Sequence, residues 1–224
     1  MQSRCPFVDC LSVFQAGEEN EFKAIDCPHC NRRITIRSLA RYLEIDRQVE
    51  KHRSQTTLAE QFFEQKTFPG KMVAILEEIR SLWNVGSIFR SSDGAGFSHL
   101  FLIGITGCPP RKEIAKTSLG AEDHVGWNYS GNSLPVIMQL KQLGYQIVVL
   151  EKTQESRPLT EALKEQLLKQ PLCLIVGSEV KGVYAETIDQ ADIVLDLPMR
   201  GFKESLNVAV AYGIASYAIA EHLS

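Results

Sequence analysis

The chain has 224 residues, 44% hydrophobic and 23% charged, with a formal net charge of −3 and six cysteines. That composition fits one good-sized globular domain with a small appendage and excludes a disordered or low-complexity chain. No run approaches eighteen apolar residues and the opening Met1-Gln2-Ser3-Arg4-Cys5 lacks an apolar signal core, so a cytoplasmic protein with no membrane partner is expected.

Residues 1–40 hold four of the six cysteines, as Cys5-x4-Cys10 and Cys27-x2-Cys30, with sixteen residues between the pairs. Cysteines in a reducing compartment point away from disulfides and toward metal ligands or free thiols. Cys5, Cys10, Cys27 and Cys30 make a four-thiolate zinc set, and a segment this short needs a metal in place of a core. The alternative is a set of unbound thiols. His29 is expected to face solvent. Next come Arg32, Arg33, Arg37 and Arg41. If helical, the last three share one face, as either a phosphate-binding stripe or a solvated helix surface.

Residues 41–69 are polar and charged, a solvated helix or linker with Leu43, Ile45, Leu58, Phe62 and Phe63 available for packing. Pro69-Gly70 marks a boundary. From Met72 the pattern changes. Short apolar runs recur at Met72–Leu76, Leu100–Ile103, Ile147–Leu150, Leu172–Val176 and Ile193–Leu197, mostly without polar alternation, as suits parallel strands covered on both faces. Between them lie helical segments near Val85–Ala95, Glu113–Leu119, Leu134–Leu143 and Leu159–Leu168, and Ser205–His222 closes the chain. Alternating strand and helix predicts an α/β fold around a parallel sheet. Neither Cys108, ahead of Pro109-Pro110, nor Cys173, inside a strand run, has a base assigned to it, so no catalytic role is expected of them.

Three loops carry the polar chemistry. In Asn84-x-Gly86-x3-Arg90, Asn84 is a candidate N-cap and Arg90 falls just under two turns later. In Gly177-x-Glu179-x2-Gly182 a buried strand ends in a loop whose glycines permit close backbone approach. It is not the dinucleotide fingerprint, which argues against a nucleotide-dependent oxidoreductase. The third, Leu197-Pro198-Met199-x-Gly201-x3-Ser205-Leu206-Asn207-Val208-Ala209, opens a helix that is apolar around most of its circumference, hence buried or in a subunit interface. Ser205 reads as a cap there, and Asn207 as an amide that needs partners.

Taken in order, these three segments resemble the motifs of the SpoU-type (TrmH-like) RNA ribose 2′-O-methyltransferases of the SPOUT superfamily, and Lys116–Glu122 resembles a further family segment. The resemblance covers about residues 70–224 and leaves the cysteine-rich front unexplained. It implies an α/β parallel-sheet SPOUT domain with a C-terminal trefoil knot, usually a homodimer, binding S-adenosylmethionine. Gly177, Leu197 and Leu206 would line the cofactor site, with Met199 and Asn207 close by. Arg90 would serve the reaction as base, as stabiliser of the developing alkoxide or as grip on the neighbouring phosphate, with Asn84, Ser205 and Asn207 around it. Glu179 would fix its loop or assist proton transfer. The organisation implied is a zinc-ribbon-like RNA-recognition segment at 1–40, with Arg32, Arg33, Arg37 and Arg41 as phosphate contacts. A helical linker follows at 41–69 and a methyltransferase domain at 70–224. The expected substrate is transfer RNA. Ribosomal RNA, or a non-catalytic RNA-binding protein on the same fold, are the alternatives.

Overall fold

The structure, a computed structural model, describes residues 1–52 and 71–224. Leu58, Phe62, Phe63 and the Pro69-Gly70 boundary lie outside the described residues.

The cysteine-rich front is built from two hairpins and a helix. Strand β1 (Gln2–Arg4) pairs antiparallel with β2 (Val13–Gln15), β3 (Ala24–Asp26) pairs antiparallel with β4 (Arg33–Thr35), and α1 (Leu39–Lys51) follows. Its core is small: Cys5, Cys27 and Ile34 form a buried cluster with Phe7, Phe14 and Ile25 partly buried against it, and Ile36, Tyr42 and Ile45 are also buried. The expected arginine stripe does not form. Pairing with β3 holds Arg33 extended, Arg37 lies between β4 and α1, and only Arg41 is helical.

The rest is one seven-stranded sheet: β5 (Met72–Glu77), β6 (His99–Ile103), β7 (Gly126–Ser130), β8 (Gln146–Leu150), β9 (Arg157–Pro158), β10 (Leu172–Val176) and β11 (Ile193–Asp196). Their order across the sheet is β7-β6-β5-β10-β8-β11-β9, and every pairing is parallel. The connecting helices are α2 (Leu82–Ala95), α3 (Lys112–Ser118), α4 (Ser133–Gln142), α5 (Leu159–Lys164), α6 (Ala185–Ile188) and α7 (Val208–Leu223).

All five apolar runs become strands, and their lack of alternation is explained by two covered faces. In β5, Met72, Ala74 and Leu76 join one core with α2 and α7, while Val73 and Ile75 join the other with α4. Each such Val, Leu or Ile contributes about 1.5–3 kcal/mol by burial. The reading missed β7, whose Gly-Trp-Asn-Tyr-Ser is an edge strand with one neighbour, the two-residue β9, and the single turn α6. Helix α7 begins at Val208, three residues later than expected.

The front docks onto this sheet domain through polar contacts. Arg37 Nη2 donates to Glu186 Oε1 (2.5 Å), Thr35 N to Glu186 Oε2 (2.7 Å) and Ala185 N to Thr35 Oγ1 (2.9 Å). Arg33 Nη1 donates to Asp189 Oδ1 (3.0 Å), Arg41 Nη2 to Glu78 Oε2 (2.6 Å) and Asn132 Nδ2 to the Pro6 carbonyl (2.9 Å).

Candidate active site

In parallel sheets, ligands gather at the carboxyl ends of the strands. A cavity of about 550 Å³ lies there, beyond β8, β10 and β11. Its apolar floor includes Leu150, Val176 and Leu197, and its walls are the loop 177–182 and the segment 204–208. Gly177 is required by geometry: a Cβ there would stand 2.2 Å from the Gly182 carbonyl carbon. Gly182 has φ of 69° and exchanges backbone hydrogen bonds with Ser178, closing the loop into a tight turn.

A chain of side-chain hydrogen bonds ties the three sequence segments together at the mouth of this cavity. Asn84 Nδ2 donates to Glu179 Oε1 at 2.7 Å, and Asn207 Nδ2 donates to Asn84 Oδ1 at 3.2 Å. The Glu179 carboxylate also accepts the Arg80 and Ser81 backbone N–H groups, at 3.3 and 3.4 Å. Glu179 therefore fixes one loop against the other. Two cap assignments change. Ser81, rather than Asn84, caps α2 by accepting Asn84 N, which leaves the Asn84 amide for the site. Asn207, rather than Ser205, caps α7, its Oδ1 accepting Ala209 N (2.9 Å) and Val210 N (3.4 Å). It is exposed, not a buried amide.

The expected cofactor residues Gly177, Leu197, Leu206 and Asn207 line the cavity, as do Glu179 and Ser205. Met199 is half-buried in the strand-to-helix loop and lies outside that lining. Arg90 is exposed on α2, also outside it. Glu151 and Lys181 line the cavity although the sequence reading passed over them. The signal for Glu151 was its place just beyond the apolar run of β8. Its carboxylate accepts Val183 N at 2.9 Å, and burial pushes its pKa above the usual carboxylate range. Burial likewise pushes the Cys108 thiol up to about 12 and raises Cys173, so neither is a ready nucleophile.

The four front cysteines converge. Their Sγ atoms all lie within 4.8 Å of one another, with Cys5–Cys30 at 3.7 Å and Cys10–Cys27 at 3.9 Å. A tetrahedron with zinc–sulfur bonds of about 2.3 Å has edges of about 3.8 Å, so the thiols fit such an ion. Burial opposes ionisation of Cys30, yet Arg32 Nε, donating to its Sγ at 3.4 Å, helps bring that thiol down to about 6. The arginines expected as phosphate contacts are all engaged with carboxylates. Arg37 is buried in its pair with Glu186, and Arg41 is mostly covered in its pair with Glu78. Arg32 pairs with Asp9 and Arg33 with Asp189 at the surface. Among the described residues no helix is long and apolar enough to cross a membrane.

Comparison with known proteins bears on the sheet domain. The profile of the SpoU rRNA methylase family matches residues 71–217. A tRNA (guanosine(18)-2′-O)-methyltransferase from Aquifex aeolicus is 28% identical over 146 residues, 65% of this chain and 67% of that protein. YacO, a TrmH-family protein of Bacillus subtilis, is 29% identical over 150 residues, 65% of this chain and 56% of its own. The chain thus spans little more than half the length of some curated relatives. Among solved structures, an AdoMet-bound rRNA methyltransferase from Sinorhizobium meliloti superposes with a TM-score of 0.63 at 26% identity, covering 69% of this chain and 57% of that one. A TrmH/SpoU tRNA-modifying enzyme of A. aeolicus gives 0.61 at 25% identity, covering 75% and 84%. The profile takes in all the strands of the parallel sheet and all three motif loops, and the chain belongs to the SpoU rRNA methylase family.

Proposed function

We propose that the chain is an S-adenosylmethionine-dependent RNA ribose 2′-O-methyltransferase acting on transfer RNA in the cytoplasm. The observation that carries this reading is the hydrogen-bond chain Glu179–Asn84–Asn207 at the rim of the cavity. Mere RNA binding has no need to hold three separate loops in register over a ligand-sized cavity. The reading includes the family's C-terminal trefoil knot, and divides the chain into a recognition segment at 1–40, a linking segment at 41–69 and the catalytic domain at 70–224.

The cavity suits the cofactor. Leu150, Val176, Leu197 and Leu206 offer an apolar bed, the loop around Gly177 offers backbone polar groups, and the lining mixes the carboxylates of Glu179, Asp196 and Glu204 with the amines of Lys152 and Lys181. S-adenosylmethionine, when bound, supplies an electrophilic methyl group. The chain's own task is to align a ribose hydroxyl and manage its proton. Asn84, with one amide end held by Glu179 and the other by Asn207, is a rigid positioning group. Ser205 and Asn207 shape the same rim. Arginine keeps its proton, so Arg90 acts by stabilising the developing alkoxide or gripping the adjoining phosphate.

The net charge of −3 hides a face suited to RNA. Arg80, Trp83 and Lys116 are exposed at the Asn84 end of α2, with the Lys116 amine 5.5 Å from the Trp83 ring centre. Cationic and aromatic groups side by side suit a nucleotide chain. Arg32 and Arg33 remain candidate phosphate contacts, because surface ion pairs are weak enough to be exchanged. Homodimerisation is supported by a stripe on α7, where Val210, Ile214 and Tyr217 are 50%, 48% and 48% exposed. The front cysteines hold a structural zinc ion. Incubation of the purified chain with labelled S-adenosylmethionine and total RNA, followed by nucleoside analysis, tests the whole reading. The expected product is a 2′-O-methylated nucleoside in the transfer RNA fraction. A methyl group on a base, or none despite cofactor binding, overturns it.

A further inference from the structure

The segment from Lys181 to Asp189 joins the cavity to the cysteine ribbon. Lys181 and Gly182 line the cavity, and the single turn α6 follows. One turn of helix is far too short to hold itself together by its own hydrogen bonds. The ribbon supplies partners instead. The Phe22 ring lies 4.9 Å from the Lys181 amine, and Thr35 Oγ1 accepts Ala185 N at 2.9 Å. Glu186 accepts both Thr35 N and Arg37 Nη2, and Asp189 accepts Arg33 Nη1. The Arg37 and Glu186 side chains are only 5% and 2% exposed, so breaking that pair would strand a buried charge.

The opposite rim is gripped too. Arg41 holds Glu78, which immediately precedes the loop whose Arg80 and Ser81 N–H groups bind Glu179. The ribbon and α1 therefore reach both loops that meet at Glu179 and Asn84. Between its hairpins the buried cluster is Cys5, Cys27 and Ile34, with Phe7, Phe14 and Ile25 partly buried against it, so the order of the ribbon depends on whatever holds its four thiols as well as on its docking.

We propose that the ribbon is a positioning element of the cofactor site. Through Thr35, Arg37 and Arg41, the metal-held ribbon sets the geometry of loops 178–189 and 78–81, so that metal loading and S-adenosylmethionine binding are thermodynamically coupled. The cofactor half of this inference rests on the methyltransferase reading above.

The test uses the full chain loaded with zinc. Calorimetric titration with S-adenosylmethionine before and after zinc removal should show the dissociation constant rising roughly 5- to 150-fold, and the cofactor should tighten zinc binding by the same factor, because coupling is reciprocal. The variant Thr35→Val keeps the cysteines but leaves Ala185 N without its acceptor. It should keep its zinc, raise KM for the cofactor several-fold and leave kcat at saturation within about twofold. Hydrogen exchange supplies a readout that needs no cofactor: amides of 178–189 should exchange faster without zinc while β5 and β10 keep their protection. Unchanged exchange in that segment overturns the inference, as does a cofactor affinity indifferent to zinc. If the zinc-loaded chain binds no S-adenosylmethionine, the methyltransferase reading falls, and the exchange result alone decides whether the ribbon orders the loop.

Discussion

The ribbon and the sheet domain reach order by different routes. The sheet domain buries two continuous apolar cores, one on each face of seven strands, and its interior strand β5 is buried from Met72 to Glu77. The hairpins of the ribbon share a buried cluster of Cys5, Cys27 and Ile34, and the front meets the sheet domain through hydrogen bonds and ion pairs together with Val49 and the His52–Tyr129 ring contact. Hydrophobic burial specifies the first; the second leans on the convergence of its four thiols and on docking. The division also separates chemistry from support. The motif residues that would act on substrate lie on the sheet domain, while the ribbon touches the segments at Glu78 and 181–189 that adjoin them, and the α4 cap at Asn132.

The sharpest way to break this division is Arg90→Ala. If the chemistry belongs to the sheet domain alone, methyl transfer should fall roughly 10²- to 10³-fold with the ribbon untouched. Cofactor affinity, measured by titration, should stay within about threefold, since Arg90 lies outside the cavity lining. Full single-turnover activity in this variant would remove Arg90 from the reaction. Next in size is Cys27→Ser. Loss of one of four converging thiols should cut bound zinc, read by elemental analysis, and free the amides of β1 to β4 for exchange, leaving β5, β8 and β10 protected. Simultaneous loss of protection in both regions would mean that they fold as one unit.

Gly177→Ala probes the sheet domain's own loop. The added methyl group would collide with the Gly182 carbonyl carbon and Val183 N, both backbone atoms that cannot swing aside. Overpacking of this kind costs about 1–3 kcal/mol, and the loop that must shift is the cavity wall. Cofactor affinity should fall more than tenfold while the unfolding midpoint drops by a few degrees. A variant that binds the cofactor normally would mean that the loop tolerates the shift.

The two regions were also unequally legible in the sequence. Continuous Val, Ile and Leu runs are the direct signature of strands covered on both faces, and each of the five runs became one. β7 and β9 left no such trace, because an edge strand needs cover on fewer sides and a two-residue strand has no period. In the site, Gly177, Leu197 and Leu206 came only from the family resemblance: Gly177 and Leu197 directly follow β10 and β11, but Leu206 lies ten residues beyond β11, just ahead of α7, where no strand pattern points to it. The caps were misassigned by a few residues, since Ser81, Asn84, Ser205 and Asn207 are all good capping types and only geometry chooses among them. The helical condition on Arg33, Arg37 and Arg41 failed for another reason. A spacing of four suggests one helical face, but nothing local in Arg33 to Arg41 reveals that Glu186, about 150 residues away, waits for Arg37. Long-range polar docking leaves no periodic mark.

The finest test concerns the seam itself. Glu77 ends β5, and its carboxyl group accepts Ser133 Oγ (2.5 Å), Thr187 Oγ1 (2.8 Å) and Tyr184 N (2.9 Å). It thus ties β5 to the segment that the ribbon grips one residue further on, at Ala185 and Glu186. Burial pushes its pKa up from 4.5 to about 7 against the pull of those donors. Because the folded state holds the proton more tightly than the unfolded chain, this group costs nothing at low pH, and its penalty grows as pH rises from about 4.5 through 7. Between pH 5 and 7 the accumulated loss is about 2 kcal/mol. Glu77→Gln cannot ionise, so its melting temperature should gain on the wild type by roughly 4–8 °C over that interval. His99, held down to about 4 by burial, adds an opposite dependence, but it is common to both proteins and cancels in the difference. Parallel melting curves across the interval would mean that Glu77 stays ionised, with its three donors outweighing burial. The seam would then be a fixed-charge junction at neutral pH, and the sheet domain would meet the ribbon through a network of carboxylates already committed to their partners.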